Sequence, residues 1–368
     1  MKVTLVRSRA IDPAINKIAK SLSENGYDVK LLVWDRMGNT QTEKVDGYRV
    51  YKFGLKAPHD KTSVVFFLPI WWLYEFFFLL KQKSTVVHVC DLDTLIPAIF
   101  AKLIKNTKLC YTIYDFYADN LPNNFPPLIR KFIAFIERFG IRFTDVLFLV
   151  DNCRYEQVKG SRIKHVEYIY NSPQDYFTVQ QKNQPDTGDE LKIFYAGIIH
   201  KSRGLEYIIE AIRDINGLKL TIAGAGPDKD FLENLPNDIK TYVKYIGPIT
   251  YEKVTERTIE SDLLFAFYDP SIPNNKYASP NKLFEAMMCG KPIIMNSGIA
   301  ASEIVLEEKC GLIVPYGDIN AIREAITKIK NYPDLRIKLG ENGRKAYEEK
   351  YSWKIMERRL IDTYKKIS

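Results

Sequence analysis

The residues best placed to do chemistry lie in the run Ser279-Pro280-Asn281-Lys282-Leu283-Phe284-Glu285, which continues through Gly290-Lys291-Pro292. Ser279 can cap a helix whose first residue is Pro280, because proline there lacks only an N–H that would be orphaned anyway. Gly290 suits the left-handed position after the last turn, and Pro292 stops the helix before an apolar strand at 293–295. The free N–H groups of Asn281, Lys282 and Leu283, with the positive end of the helix dipole, offer a seat for an anion such as a diphosphate, and Lys282 adds a full charge. Glu285 falls four residues after Asn281 and so on the same face, where a carboxylate can accept hydrogen bonds from a diol such as a ribose. Phosphate first and sugar hydroxyls second suits a nucleotide. A capped surface helix with solvated charges would show the same residues.

An apolar strand at 263–267 and a Pro-rich loop at 268–280 lead into this helix, giving a strand, loop, helix, strand unit. The wording of residues 279–294 closely resembles the donor-site signature of glycosyltransferase family 4, and in particular the subset that reads Asn-Lys-Leu-Phe-Glu. The resemblance implies a retaining enzyme of the GT-B fold, an α/β architecture of two Rossmann-like domains whose parallel sheets face each other across a central cleft. It implies catalytic roles for Arg203, Lys282 and Glu285 around a nucleoside diphosphate sugar. It also implies donor contacts from Gly197, Lys201, Gly224, Gly226, Pro248, Ile249, Tyr277, Pro280, Asn281 and Leu283. Three positions depart from the family pattern. Tyr277 stands where a first glutamate is common, Tyr117 where a histidine is common, and Ile198 where an arginine contacts the diphosphate. A phenol can hydrogen-bond in place of the histidine but is no base near neutral pH. Lys201 or Lys282 can supply the charge missing at Ile198. A non-catalytic sugar-nucleotide or lipid-binding subunit and a GT-B sugar-nucleotide epimerase are the alternatives these departures leave open.

The 368 residues, 46% hydrophobic and 27% charged, suffice for two domains. The expected division is 1–172 for an acceptor-binding domain, 173–352 for the donor-binding domain, with a polar linker at 178–190, and 353–368 for a helix that crosses back to the first domain. A βαβ opening comes from a strand at 2–7, a helix at 14–25 and a strand at 29–34. No Gly-x-Gly-x-x-Gly follows the first strand, so the loop there offers Arg7, Arg9 and Asp12 instead of a dinucleotide site. The resemblance makes these three acceptor candidates, together with Asp91, Asp93, Asp115 and Tyr117. Asp91-Leu92-Asp93 invites a metal reading, yet the donor signature is almost two hundred residues away and the resembling family is metal-free in this domain. No metal and no cofactor are expected, and Asp91 and Asp93 read better as cleft residues or a helix cap.

Five scattered cysteines without Cys-x-x-Cys spacing suggest neither a disulfide framework nor zinc, which fits a reducing cytosol. The opening Met1-Lys2-Val3-Thr4-Leu5-Val6-Arg7 has no signal-peptide pattern. The net charge of +8 falls wholly in the first 170 residues, which hold 25 Lys and Arg against 17 Asp and Glu. That half suits an anionic partner, and no motif supports nucleic acid. Residues 64–80 carry eight aromatics and the single charge Glu75, with Lys81 and Lys83 following; 125–143 form a basic amphipathic helix with Arg130, Lys131, Arg138 and Arg142. Both segments suit a helix lying in the membrane interface, and both suit a helix packed on the first-domain sheet. The expected setting is cytoplasmic, peripheral on the cytosolic face of a membrane through 64–83 and 125–143, with a lipid-linked acceptor.

Overall fold

The computed structural model describes residues 1–10, 12–58, 62–121, 125–175 and 190–367. Met1–Tyr170 and Met356–Ser368 make one unit, and Asn171–Ile355 the other. The linker expected at 178–190 lies, apart from Glu190, outside the described residues.

The strands of the first unit are β1 (Lys2–Arg7), β2 (Asp28–Trp34), β3 (Glu43–Val45), β4 (Tyr48–Phe53), β5 (Val86–Cys90), β6 (Lys108–Ile113), β7 (Val146–Leu149) and β8 (Val166–Tyr168). They pair in the order β3-β4-β2-β1-β5-β6-β7-β8, parallel throughout except the β3–β4 ribbon at one edge. β1 and β5, adjacent in space, form the switch point at which the order reverses, and the loops after them bring residues 7–12 and 91–93 together. β1, β5 and β7 are buried almost throughout because helices cover both faces, which is why they read as unbroken apolar runs.

Helices packed with this sheet include α1 (Pro13–Glu24), α2 (Leu68–Lys81), α3 (Leu92–Lys105) and α4 (Pro127–Ile141). The aromatic segment starts with a 3-10 turn at Thr62–Phe67 and continues as α2. Ser63–Lys81 is long and apolar enough to cross a membrane by length and composition, yet the helix has two distinct faces. Leu68, Trp71, Glu75 and Leu79 are buried, whereas Phe66, Ile70, Leu73 and Phe77 are more than half exposed. Trp71 stacks on Trp34 at 5.8 Å and donates its indole N–H to the Asp93 carbonyl at 3.1 Å. Trp72, half-buried, donates to the same carbonyl at 2.9 Å. The tryptophans therefore tie α2 to the start of α3, and the outward side chains are phenylalanine, isoleucine and leucine. The core reading holds for the face of Leu68, Trp71, Glu75 and Leu79, and the opposite face is exposed.

The C-terminal helix Trp353–Ile367 belongs to the first unit from Met356 onward. Tyr364 is fully buried, its hydroxyl 2.7 Å from His88 Nδ1, and the other ring nitrogen is 2.6 Å from the Thr112 hydroxyl. Burial pushes the His88 pKa down to about 3, so a neutral ring joins two hydroxyls.

The second unit has a six-stranded, wholly parallel sheet: β9 (Leu191–Ala196), β10 (Leu218–Ala223), β11 (Val243–Tyr245), β12 (Leu263–Ala266), β13 (Ile293–Asn296) and β14 (Gly311–Val314). Its order β11-β10-β9-β12-β13-β14 is that of a doubly wound dinucleotide-type sheet, with the reversal between β9 and β12.

Glu137 is wholly buried on the inner face of α4, accepting from the Tyr111 hydroxyl at 2.8 Å and the Tyr117 N–H at 3.0 Å. Burial raises its pKa to about 8 despite these donors. A carboxyl with a raised folded-state pKa stabilises below its unfolded pKa and loses that contribution as pH rises through the folded value. Glu137→Gln should therefore stabilise the first unit by up to about 4 kcal/mol near pH 9, with the gain fading toward about pH 5. Urea melts at the two pH values check this, and an equal gain at both would contradict the shift.

Candidate functional site

The second-unit site is built where backbone meets backbone. β9 and β10 end side by side, Gly197 N–H donating to the Ala223 carbonyl and Ile199 N–H to the Ala225 carbonyl, both at 3.0 Å. A Cβ at Gly224 would stand 1.8 Å from the Gly197 oxygen and one at Gly226 2.0 Å from the Ile199 oxygen. Only glycine allows this approach, and Gly224 also sits at φ +135°. The approach places Gly197 directly under Lys282, whose ammonium would lie 2.5 Å from a Cβ at that position.

Helix Asn281–Met288 runs from the end of the loop after β12. Its N-cap is Pro280, and the Ser279 hydroxyl caps nothing: it is buried with no hydrogen-bond partner. Both the expected cap and the expected first residue are corrected here. With φ −68° and ψ 127°, Pro280 is extended, so its ring precedes the first turn and Ser279 lies one residue too early to reach the free N–H groups. Those amides at the helix start are left available to an anion.

Lys282 is 9% exposed, its ammonium 4.4 Å from the centre of the Tyr195 ring, and among the described residues it has no hydrogen-bond or ion-pair partner. Burial lowers its pKa to about 8, with Glu285 acting in the opposite direction and Arg203 adding to the fall. Tyr195, in β9, is itself fixed by a 2.8 Å hydrogen bond from its hydroxyl to the Ile198 carbonyl. Arg203 lies 3.9 Å over the Tyr268 ring and donates to Asn275 Oδ1 at 3.4 Å. Asn275 in turn donates to the Asp269 carbonyl at 3.0 Å, whose N–H donates to the Ser202 carbonyl. Two cations are thus held in place by aromatic faces and amides, and neither is neutralised by a carboxylate contact.

Around these groups Glu285 is buried in the second turn of the helix, Leu283 lies in the core, and Asn281 is exposed, accepting from Asn171 at 3.0 Å. Tyr277 is half-buried. Pro248 is exposed and Ile249 half-buried, following Gly247, whose carbonyl accepts from Gly224 N–H. Lys201 points to solvent, and its N–H, not its ammonium, is tied to Asp228 at 2.7 Å. Ile198 is exposed. Lys282 and Arg203 are therefore the cations that converge, and Lys201 is not held beside them.

In the first unit Arg7 is 4% exposed and bridges Asp12, at 2.6 Å, and Asp91, while its guanidinium lies 4.8 Å over the Tyr114 ring. Asp12 also caps α1 through Ala14 N–H at 3.0 Å. Asp91 is the N-cap of α3 without using its carboxylate on that helix; it accepts from the Tyr114 and Asp115 N–H groups instead. Its φ of 63° is strained for a side-chain residue. α3 begins at Leu92, directly after the turn at which Arg7 pairs with Asp91. Asp93, half-buried, accepts from the Ser8 hydroxyl; its other oxygen is shielded from solvent and has no hydrogen-bond partner among the described residues, and desolvation raises its pKa. Asp115 pairs with Arg154 at 3.3 Å, Arg9 is exposed, and burial takes the half-exposed Tyr117 phenol to about 12. Arg7, Asp12 and Asp91 thus spend their charge on one another. Among the described residues no group of three or more His, Cys, Asp or Glu is placed to hold a metal ion.

Tyr195, Tyr268, Asn275 and Ser8 are site residues that the sequence reading does not single out. Tyr195 shares a strand face with Ile193 and Gly197 by simple alternation, so that signal was present. Tyr268 and Asn275 lie in a loop, where no periodicity assigns direction.

Known proteins give the fold a class. Sucrose-phosphate synthase of Thermosynechococcus elongatus superposes with a TM-score of 0.83 at 17% identity, covering 100% of this chain and 99% of that one. Anabaena HepE, solved with UDP and glucose, does so with a TM-score of 0.72 at 13% identity, covering 99% of each chain. The fold is GT-B. Residues 177–346, within the second unit, match the family model described as Glycosyl transferases group 1. The capsular polysaccharide biosynthesis glycosyltransferase CapM of Staphylococcus aureus is 27% identical over 197 residues, 50% of this chain and 49% of that protein. The chain spans about half the length of the curated relatives it matches.

An ammonium whose folded-state pKa falls from 10.5 to about 8 destabilises the fold below that value, and the penalty disappears as pH rises toward the unfolded pKa. Lys282→Met should therefore stabilise the second unit by up to about 3 kcal/mol at neutral pH, and by little near pH 10.5. Thermal melts of the two proteins across that range check it; a loss of stability at neutral pH would mean that Lys282 serves the fold.

Proposed function

We propose that the chain is a retaining, metal-independent glycosyltransferase of family 4. It would move a sugar from a nucleoside diphosphate sugar to an acceptor hydroxyl in glycan, glycolipid or polysaccharide assembly. The observation that carries this is the buried, uncompensated Lys282 ammonium, set with Arg203 at the N-terminus of a helix inside a glycosyl transferases group 1 domain. CapM acts in capsular polysaccharide biosynthesis and HepE holds UDP with glucose, and both support the reading.

As the glycosidic C–O bond to the donor breaks, negative charge grows on the leaving diphosphate. Lys282, Arg203 and the free N–H groups of the helix start are fixed beforehand where that charge appears, each worth about 3 kcal/mol in such settings. The incoming anion also restores the proton affinity that burial takes from Lys282. Glu285 accepts from the ribose hydroxyls, and the close Gly197, Gly224 and Gly226 backbones leave room for the nucleotide beside them. Front-face transfer needs no protein base: the acceptor oxygen bonds to the anomeric carbon and its proton passes to the departing phosphate oxygen, conserving configuration.

The test is release of nucleoside diphosphate from a panel of UDP, GDP and ADP sugars, with acceptor hydroxyls present and EDTA throughout. Arg203→Ala should lower turnover at least about a hundredfold with a melting curve close to the parent's. Near-normal turnover in the folded variant would sink the assignment. Nucleotide binding without turnover on any donor would favour a non-catalytic subunit, and nucleotide release without acceptor an epimerase.

We propose further that this chemistry runs on the cytosolic face of a membrane beside a lipid-linked acceptor, and the composition of the first unit supports that reading. It holds 29 Lys and Arg against 19 Asp and Glu, where the second holds 24 against 26. The outward face of α2 supplies apolar insertion, and the basic excess supplies attraction of about 1 kcal/mol per residue near an anionic surface. The triple variant Ile70→Ser/Leu73→Ser/Phe77→Ser changes only exposed positions and should lose flotation with anionic liposomes while keeping its fold. Unchanged flotation would remove α2 from the membrane.

A further inference from the structure

A groove of about 530 Å³ runs between α4 and residues 159–162 of the first unit, and neither Arg7 with its ion-pair partners nor Asp93 lines it. Five cations line it, Lys131, Arg138, Arg142, Lys159 and Arg162, and no carboxylate does. The nearest acids are otherwise occupied: Glu156 pairs with Lys159 at 3.2 Å, and Glu137 points inward to Tyr111 and Tyr117. Two of the cations are fixed by the fold. Arg138 donates to the Gln157 carbonyl at 2.9 Å, and Arg142 lies 4.8 Å over the Phe139 ring. Lys131 and Arg162 have no ion-pair partner among the described residues. Ser161, in the groove wall, has a hydroxyl oxygen shielded from solvent and without a hydrogen-bond partner.

An excess of fixed positive charge with a spare hydroxyl fits a phosphate. The surroundings identify what carries it. Leu128, Phe132, Phe135 and Phe139 recur along α4 at a spacing of three or four and are all exposed, and the last two also line the groove. A soluble phosphate compound has no use for that stripe, whereas a lipid needs both parts. We propose that this groove is a headgroup seat for an anionic membrane phospholipid, the phosphate diester lying among Lys131, Arg138, Arg142 and Arg162 and the acyl chains following the aromatic stripe of α4. This rests on the membrane placement proposed above and makes it selective, since α2 offers an apolar face to any bilayer while the groove selects the charged lipid.

The test compares binding to phosphatidylcholine vesicles with and without one-fifth phosphatidylglycerol. Lys131→Glu/Arg162→Glu should lower affinity for the anionic vesicles at least about tenfold. Lys240→Glu/Lys328→Glu, the same change of net charge on exposed residues of the second unit, should lower it less than threefold. Equal losses would reduce the effect to overall charge, and no loss in either variant would leave the groove without a lipid; each outcome overturns the proposal. So would release of the protein from vesicles by millimolar inorganic phosphate at constant ionic strength, which would make free phosphate the occupant. Lys131→Gln/Arg162→Gln repeats the comparison should the reversal unfold the unit. Donor turnover of the parent protein measured without vesicles separates the two readings: turnover with no preference for the anionic vesicles falsifies the groove alone, and a preference for them without turnover on any donor falsifies the transferase alone.

Discussion

Burying the Lys282 ammonium without a counter-ion works against the fold, and the second unit is arranged around it. Three backbone segments converge there because Gly224 and Gly226 let the loop after β10 lie on the loop after β9, and Gly197 leaves the space the ammonium occupies. Tyr195 offers its ring face to the charge, and its hydroxyl is tied off by Ile198. Removing any one of these side chains or adding one Cβ would change the position of a charge, not merely a contact. A buried charge that works against the fold is what a site proposed for an anion would require.

The second unit was legible in the sequence to the level of single strands, since every strand that lines the site ends in a glycine, a proline or a charged loop that punctuates the pattern. The apolar strands expected at 263–267 and 293–295 agree, to within one residue at an end, with β12 (Leu263–Ala266) and β13 (Ile293–Asn296). What failed there was local and stereochemical. A serine before a proline looks like a cap, but proline's own extended backbone takes the cap position and leaves the hydroxyl stranded. No sequence pattern distinguishes Lys201 from Lys282 as a charge donor either; the distinction comes from which of them is covered.

The first unit was read less well, for a different reason: its decisive contacts join residues far apart in sequence. Periodicity could show that 64–80 is a helix with too many aromatics, but the direction of Trp71 depends on Trp34 and on the Asp93 carbonyl, neither of which the segment itself reveals. Arg7, Asp12 and Asp91 looked like three candidate ligands because each is a charged loop residue. Folding brings the loops after β1 and β5 together at the switch point, where the three neutralise one another, and the strained φ of Asp91 is the cost of that meeting.

The two units share a sheet design and treat charge in opposite ways. In the second, the cations that converge are few, the buried Lys282 and the half-buried Arg203, and among the described residues neither is in an ion pair, so a small anion would meet groups already oriented. In the first, buried charges are paired or held neutral, as with Arg7 and Glu137, while the unpaired cations Lys131 and Arg162 stand at the surface beside exposed aromatics. Exposed cations are screened within about 10 Å at ordinary ionic strength and contribute little one at a time, so they act only against an extended surface that many of them reach together. On the function proposed above, that difference in depth, more than the sign of the charge, would suit one unit to a nucleotide and the other to a bilayer.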